Sequence, residues 1–312
     1  MDLLNISENN RKAQQPLYYT FIGMLSVMRG YNILIVVIAQ YLASIFIFKP
    51  NESLKSILLD GHLFITVLAT SLVIAAGYII NNFYDAEVDR INKPLKTSID
   101  NFVSQKSKLR IYFLLNFLGF FLGFVVSWKA ALFFAIYIFL IWFYSHKLKK
   151  KPFLGLLGAT SLAMLPFFVI FVYHKNISEI IFTHAAFLFC MILIRELVKD
   201  LENVKGAFIY EYQTIPVKYG PEFSKVIIAL FVFLAMNPIY FLWKYPEIGM
   251  MRYYFYFVFV SLLVFLVLLW KAKSQANYNV LHNILKILIV IGVFSLSLID
   301  TSVIISRILE RL

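Results

Sequence analysis

Nine apolar stretches alternate with polar links along the chain, over residues 21–48, 63–84, 110–127, 130–144, 153–173, 180–198, 225–243, 253–270 and 285–305. Most approach the ~20 residues a helix needs to cross the hydrocarbon core of a bilayer. The short alternating segments of a membrane β-barrel are absent. The pattern predicts an all-α fold, a polytopic membrane helical bundle of nine transmembrane helices. Residues 1–16 read as a disordered polar tail and 17–312 as a single domain. Two links, 85–108 and 199–224, are too long and polar for simple turns, and loops of that size are often lids or binding loops. Pro166 falls inside the fifth stretch, where it must free a backbone carbonyl that needs a partner in the bundle.

Composition strengthens this picture. Of 312 residues 61% are hydrophobic, well above the level of a soluble domain. The formal net charge of +12 sits in the links between apolar runs. Membrane topology and anionic headgroups therefore explain it before nucleic acid does. With the N-terminus inside, Lys and Arg favour the inner links by roughly two to one. Arg11 and Lys12 count inside; Arg307 and Arg311 count outside. This orientation puts both long links and the basic link 147–151 on the cytoplasmic side of the cell (inner) membrane. The single cysteine, Cys190, lies in an apolar run, which excludes an intramolecular disulfide and a cysteine metal site.

The candidate chemistry is concentrated in two polar segments. In Asn81-Asn82-Phe83-Tyr84-Asp85-Ala86-Glu87-Val88-Asp89 the carboxylates of Asp85 and Asp89 are four residues apart, on one helical face, with Asn81 and Asn82 a turn earlier. Clustered oxygen donors of this kind suit magnesium, the usual partner of a diphosphate. In Arg195-Glu196-Leu197-Val198-Lys199-Asp200-Leu201-Glu202-Asn203, a continuing helix aligns Glu196, Asp200, Asn203 and Ala207 and turns Glu202 away. Arg29, near the start of the first stretch, either snorkels outward or faces the bundle interior. The acids sit at helix ends on one side, which argues against a transporter built from broken helices with charge at mid-membrane.

These segments, with Ile91-Asn92-Lys93-Pro94, Tyr144-Ser145, Leu148-Lys149, Pro152 and Thr214-Ile215-Pro216-Val217, resemble the UbiA-type intramembrane prenyltransferases. The wording is nearest to the geranylgeranylglyceryl-phosphate prenyltransferase-like branch. The resemblance implies nine helices around a central cavity and transfer of a polyprenyl group from its diphosphate to a lipophilic acceptor. It implies Mg2+ held by Asp85, Asp89 and Asp200, which are also the expected catalytic residues. Asn81, Asn82, Lys96, Tyr144, Lys147, Lys149, Glu196, Asn203 and Arg29 are the expected substrate-binding residues. The acceptor is left open among a quinone precursor, an aromatic acid, a haem and a glycerol-phosphate lipid. The other expected partners are membrane lipids, and no nucleic acid. The chain departs from the family pattern at Asn82, Asn203 and Ala207, where aspartates are usual, at Lys205, where an acid is common, and at Lys96, where Arg is usual. The alternative function is a divergent member that binds a prenyl lipid or a partner without turnover.

Overall fold

The structure, a computed structural model, describes residues 17–302. The expected 1–16 tail, the last part of the ninth stretch and the charges Arg11, Lys12, Arg307 and Arg311 lie outside the described residues. Fifteen α-helices make up the described chain, with no strand. In order they are α1 (Leu17–Met28), α2 (Gly30–Ala43), α3 (Leu54–Leu58), α4 (Gly61–Tyr84), α5 (Ala86–Asn92), α6 (Pro94–Asp100), α7 (Gln105–Val126), α8 (Trp128–His146), α9 (Pro152–His174), α10 (Glu179–Glu202), α11 (Val204–Ile209), α12 (Ile215–Tyr219), α13 (Pro221–Lys244), α14 (Arg252–Lys271) and α15 (Gln275–Ser295). Among the described residues nine helices are long and apolar enough to cross a membrane.

The helix starts explain why the apolar stretches marked only part of each element. Polar N-caps stand outside the apolar runs. Asp60 accepts from the backbone N–H groups of His62 and Leu63 to begin α4; Ser104 and Ser127 cap α7 and α8. Ser274 and Asn277 form a capping box that starts α15 at Gln275, ten residues before the stretch read from hydropathy. At the start of these ten residues Gln275 Nε2 donates to Asn92 O at 3.3 Å.

The first stretch is not one helix. Arg29 takes a left-handed conformation (φ 52°, ψ 54°) and breaks it into α1 and α2. The α1 helix packs against α4 and α6, and the crossing helix begins at Gly30. The two long links are also ordered. Each folds into a pair of short helices, α5–α6 and α11–α12.

Six helices, α2, α4, α8, α9, α10 and α15, enclose a central cavity, while α7, α13 and α14 pack outside them. Small residues permit the tight approaches. A Cβ at Gly119 would sit 2.7 Å from Val73 Cγ2, so α7 lies close against α4. Pro166 behaves as expected. The carbonyl it frees, that of Leu162, accepts from the Tyr137 hydroxyl at 3.3 Å, and Pro166 O accepts from Gln40 Nε2 at 2.9 Å.

Gly119→Leu will lower thermal stability by about 1–3 kcal/mol through overpacking. Adding Val73→Ala will recover part of the loss, read as the melting temperature of the purified protein.

Candidate active site

The cavity has a volume of about 380 Å³, within the range of small-molecule sites. Its deep walls are apolar, from Ile74, Ile141, Phe167, Ile170, Ile192 and Val293. Its polar residues gather toward the ends of α4 and α10, where both acidic segments lie.

The two segments are built alike. The α4 helix stops at Asp85 (φ −93°, ψ 3°), and α5 restarts one residue later; α10 stops at Asn203 (φ −99°, ψ 11°), and α11 restarts one residue later. The backbone ladder bridges the first break, since Asp89 N donates to Asp85 O at 2.8 Å. Asp85 and Asp89 therefore remain neighbours as a continuous helix would hold them. The short helices α5 and α11 then pack on each other through Val88, Ala207 and Tyr212. Asn92 clasps them, donating from Nδ2 to Asn203 O and accepting at Oδ1 from Gly206 N, both at 3.0 Å. Glycine is required at 206, because a Cβ there would lie 2.5 Å from Asn92 Nδ2 and 2.8 Å from Val88 O.

Around this clasp the charges interlock. Lys149 Nζ lies 2.5 Å from Asp85 Oδ1 and 3.4 Å from Asn81 Oδ1, and it is the buried residue of the short turn Leu148–Lys150. Tyr84 and Tyr212 flank the ammonium with their rings at 5.6 and 5.8 Å. The Tyr212 hydroxyl is 3.4 Å from the same Asp85 oxygen; burial, then Asp85, push its pKa up. The basic link is tied to the second acidic segment, since Gln213 N donates to Lys150 O at 3.0 Å. Burial, and then the charge of Asp85, raise the Asp89 carboxyl above its ordinary pKa, against the pull of Lys93, Arg29 and Lys96. Burial lowers the Lys93 pKa, against the pull of Glu202 and Asp89.

On α10, Arg195 and Lys199 take one oxygen each of Glu196, at 2.8 and 2.7 Å. Tyr144 lines the cavity together with Asn81 and Glu196, one from each acidic segment. Asn203 Nδ2 donates to Lys199 O, and its Oδ1 is buried without a partner. Arg29 faces the cavity, its guanidinium 5.2 Å from the Tyr78 ring centroid, and does not snorkel outward.

Three expected substrate-binding residues stand elsewhere. Asn82 donates from Nδ2 to Asp100 Oδ2 at 2.8 Å and accepts at Oδ1 from Lys108 at 2.9 Å. Lys96 pairs with the same Asp100 at 2.5 Å. Both belong to a buried network that pins α6 to α4, α7 and, through Ser26, α1. Lys147 is exposed and caps α8, so Lys149 is the lysine of this link that reaches the acids. Asn92 and the pair formed by His282 and Glu202 (2.7 Å) were not foreseen as parts of the site. Only the polar character of the segment ahead of the last span hinted at His282.

Among the described residues no three His, Cys, Asp or Glu side chains converge tightly enough to hold a metal alone. The donor set nevertheless fits magnesium, which binds through one or two carboxylates completed by substrate phosphates and water. The unpartnered Asn203 Oδ1 adds a neutral oxygen donor on the side of Asp200.

The model of the UbiA prenyltransferase family matches residues 33–287. A digeranylgeranylglyceryl phosphate synthase of Methanobrevibacter smithii is 26% identical over 84% of this chain and 92% of its own. A solved structure concerned with digeranylgeranylglyceryl phosphate synthase in membranes aligns at a TM-score of 0.67, with 20% identity over 89% of this chain and 97% of that one. A UbiA homologue from Archaeoglobus fulgidus, bound to GPP and Mg2+, aligns at 0.61, with 17% identity over 88% of this chain and 99% of that one.

Asn92→Ala removes both clasp bonds and strands the buried Gly206 N–H. Its expected cost is about 2–3 kcal/mol. Limited proteolysis in membranes will cut 85–108 and 199–224 faster than in the parent protein, and Asn92→Asp, which keeps the acceptor, will be less affected.

Proposed function

The chain belongs to the UbiA prenyltransferase family, and from that premise we propose how this membrane prenyltransferase divides its work among its residues. It moves a polyprenyl group from its diphosphate to a lipophilic acceptor. The relatives named digeranylgeranylglyceryl phosphate synthase favour a glycerol-phosphate lipid as that acceptor. The observation that carries the assignment of residues is the clasp of α5 on α11, which turns two distant acidic segments toward one mouth.

Asp85, Asp89 and Asp200 would hold Mg2+, with Asn203 Oδ1 as a further oxygen donor. When bound, the ion supplies Lewis-acid stabilisation of the charge gathering on the departing diphosphate. Lys149 is held at the mouth by Asp85 and gives an ammonium for the phosphate oxygens. Asn81 shares Lys149 and orients it. The cavity below accepts the prenyl chain along Ile74, Ile141 and Phe167 and keeps water from the allylic cation. Tyr78, Tyr137 and Tyr144 line the same space and offer ring faces to positive charge. The Glu196 carboxylate, held by Arg195 and Lys199, fixes the geometry of the second segment rather than taking a proton.

With purified protein in lipid nanodiscs, a labelled polyprenyl diphosphate, Mg2+ and a glycerol-phosphate lipid, Asp85→Ala, Asp200→Ala and Lys149→Met will each slow diphosphate release by about 10²-fold or more. Chelation of Mg2+ will abolish release. Rates equal to the parent protein in the aspartate variants would reject this assignment.

The mouth faces the cytoplasm in the orientation favoured by the Lys and Arg asymmetry. In a Cys190→Ala background and intact cells, an impermeant maleimide will label Glu247→Cys but not Lys106→Cys. The reverse pattern would invert the topology.

A further inference from the structure

Outside the central cavity a second cleft, of about 410 Å³, lies where the basic link meets the segment that follows α11. Lys150, Lys151 and Lys218 line it with Gln213, Phe153 and Leu154, and no carboxylate is among its lining residues. None of the three lysines is ion-paired among the described residues. Two of them rest on aromatic rings instead. Lys150 Nζ is 5.2 Å from the ring centroid of Tyr212, and Lys218 Nζ is 5.4 Å from that of Tyr219.

The local fold gathers these ammoniums. The turn Leu148–Lys150 buries Lys149 beside Asp85 and leaves Lys150 exposed. The hydrogen bond from Gln213 N to Lys150 O ties the following segment to the link, and α12 then brings Lys218 alongside. Two spanning helices, α9 and α13, begin at Pro152 and Pro221, so the cleft stands at the edge of the hydrocarbon layer. Beside it the surface is apolar. Phe153, Leu154 and Leu157 are exposed on the first turns of α9, and Tyr219 and Phe223 are exposed at the start of α13. Their rings form a row, Phe153 to Tyr219 at 5.8 Å and Tyr219 to Phe223 at 5.2 Å. Exposed aliphatic groups on a spanning helix meet acyl chains, and aromatic rings favour the headgroup level.

We propose that this cleft binds the headgroup of an anionic phospholipid, drawn from the leaflet on the side of the active-site mouth. Three ammoniums without carboxylate partners supply donors and charge for a phosphodiester. The exposed apolar row beside them keeps the lipid's chains in contact with protein, a feature that a soluble phosphate ester would leave unused. None of the cleft's lining residues lines the central cavity. The bound lipid is therefore not a substrate, and the site stands independently of the transfer reading.

The test is a native mass spectrometry titration of the full chain with phosphatidylglycerol and with phosphatidylcholine of the same acyl chains. Phosphatidylglycerol is expected to bind more tightly. Replacing Lys150, Lys151 and Lys218 together by glutamine should raise the Kd of its tightest site at least ~10-fold and leave phosphatidylcholine unchanged. Replacing the same three by arginine should keep the affinity. Replacing Lys106, Lys271 and Lys273 by glutamine removes equal charge from exposed positions outside the cleft and should have little effect. If the triple glutamine variant does not fold, Lys151→Glu alone, at an exposed side chain, should weaken phosphatidylglycerol in the same direction. Equal affinity for the two lipids overturns the site, as does an equal loss in the Lys106, Lys271 and Lys273 control. Glycerol 3-phosphate that displaces phosphatidylglycerol at matched concentration overturns a membrane lipid as the occupant.

Discussion

One carboxamide joins what the chain keeps far apart. Asn92 bonds the backbone at both Asn203 and Gly206, across 111 and 114 residues of sequence, and the absence of a side chain at Gly206 lets the two segments touch. Burial first, and then the neighbouring Asp85, raise the Asp89 carboxyl above its ordinary pKa. The two Asn92 bonds and the small core of Val88, Ala207 and Tyr212 hold the segments together. Lys149 supplies counter-charge to Asp85 at the same mouth.

The surrounding polar groups are organised to keep that mouth in place above a dry interior. Asp100 gathers Ser26, Asn82 and Lys96 around one buried carboxylate, and this fastens α6 over the ends of α1 and α4. Glu202 and His282 fasten α15 to the end of α10 in the same way. Deeper in, the polar demands of the bundle are met internally: the carbonyl released by Pro166 goes to Tyr137, and Gln40 takes that of Pro166 itself. Charge is thereby confined to one end of the cavity. The reaction assigned to it requires this division, because the diphosphate needs charge while the allylic cation needs exclusion of water.

Hydropathy alone revealed the nine crossing elements, and the two acidic segments stood out because polar residues at the end of an apolar run are expensive to place. Helix starts were less legible. The first turns of α4, α7 and α15 are polar and capped, so an apolar window opens too late, by ten residues in α15. The break at Arg29 was hidden because the apolar run continues on both sides of it, and one left-handed residue leaves no mark in hydropathy. Helical spacing aligned Asn82 with Asp85, yet Asn82 bonds Asp100 and Lys108, whose positions depend on how the loop folds back. Spacing likewise could not choose between Lys147 and Lys149. The short turn at Leu148–Lys150 does so by burying one and exposing the other.

The account stands on the meeting of α5 and α11. Its most direct measurement is oxidative cross-linking in native membranes of Val88→Cys with Ala207→Cys, in a Cys190→Ala background, two positions buried together in the same small core. Rapid disulfide formation in the folded protein, lost when Asn92 is also replaced by alanine, is the predicted result. Failure of the pair to cross-link in folded protein would mean that the acidic segments do not share one mouth, and the assignment of the site would fall with it.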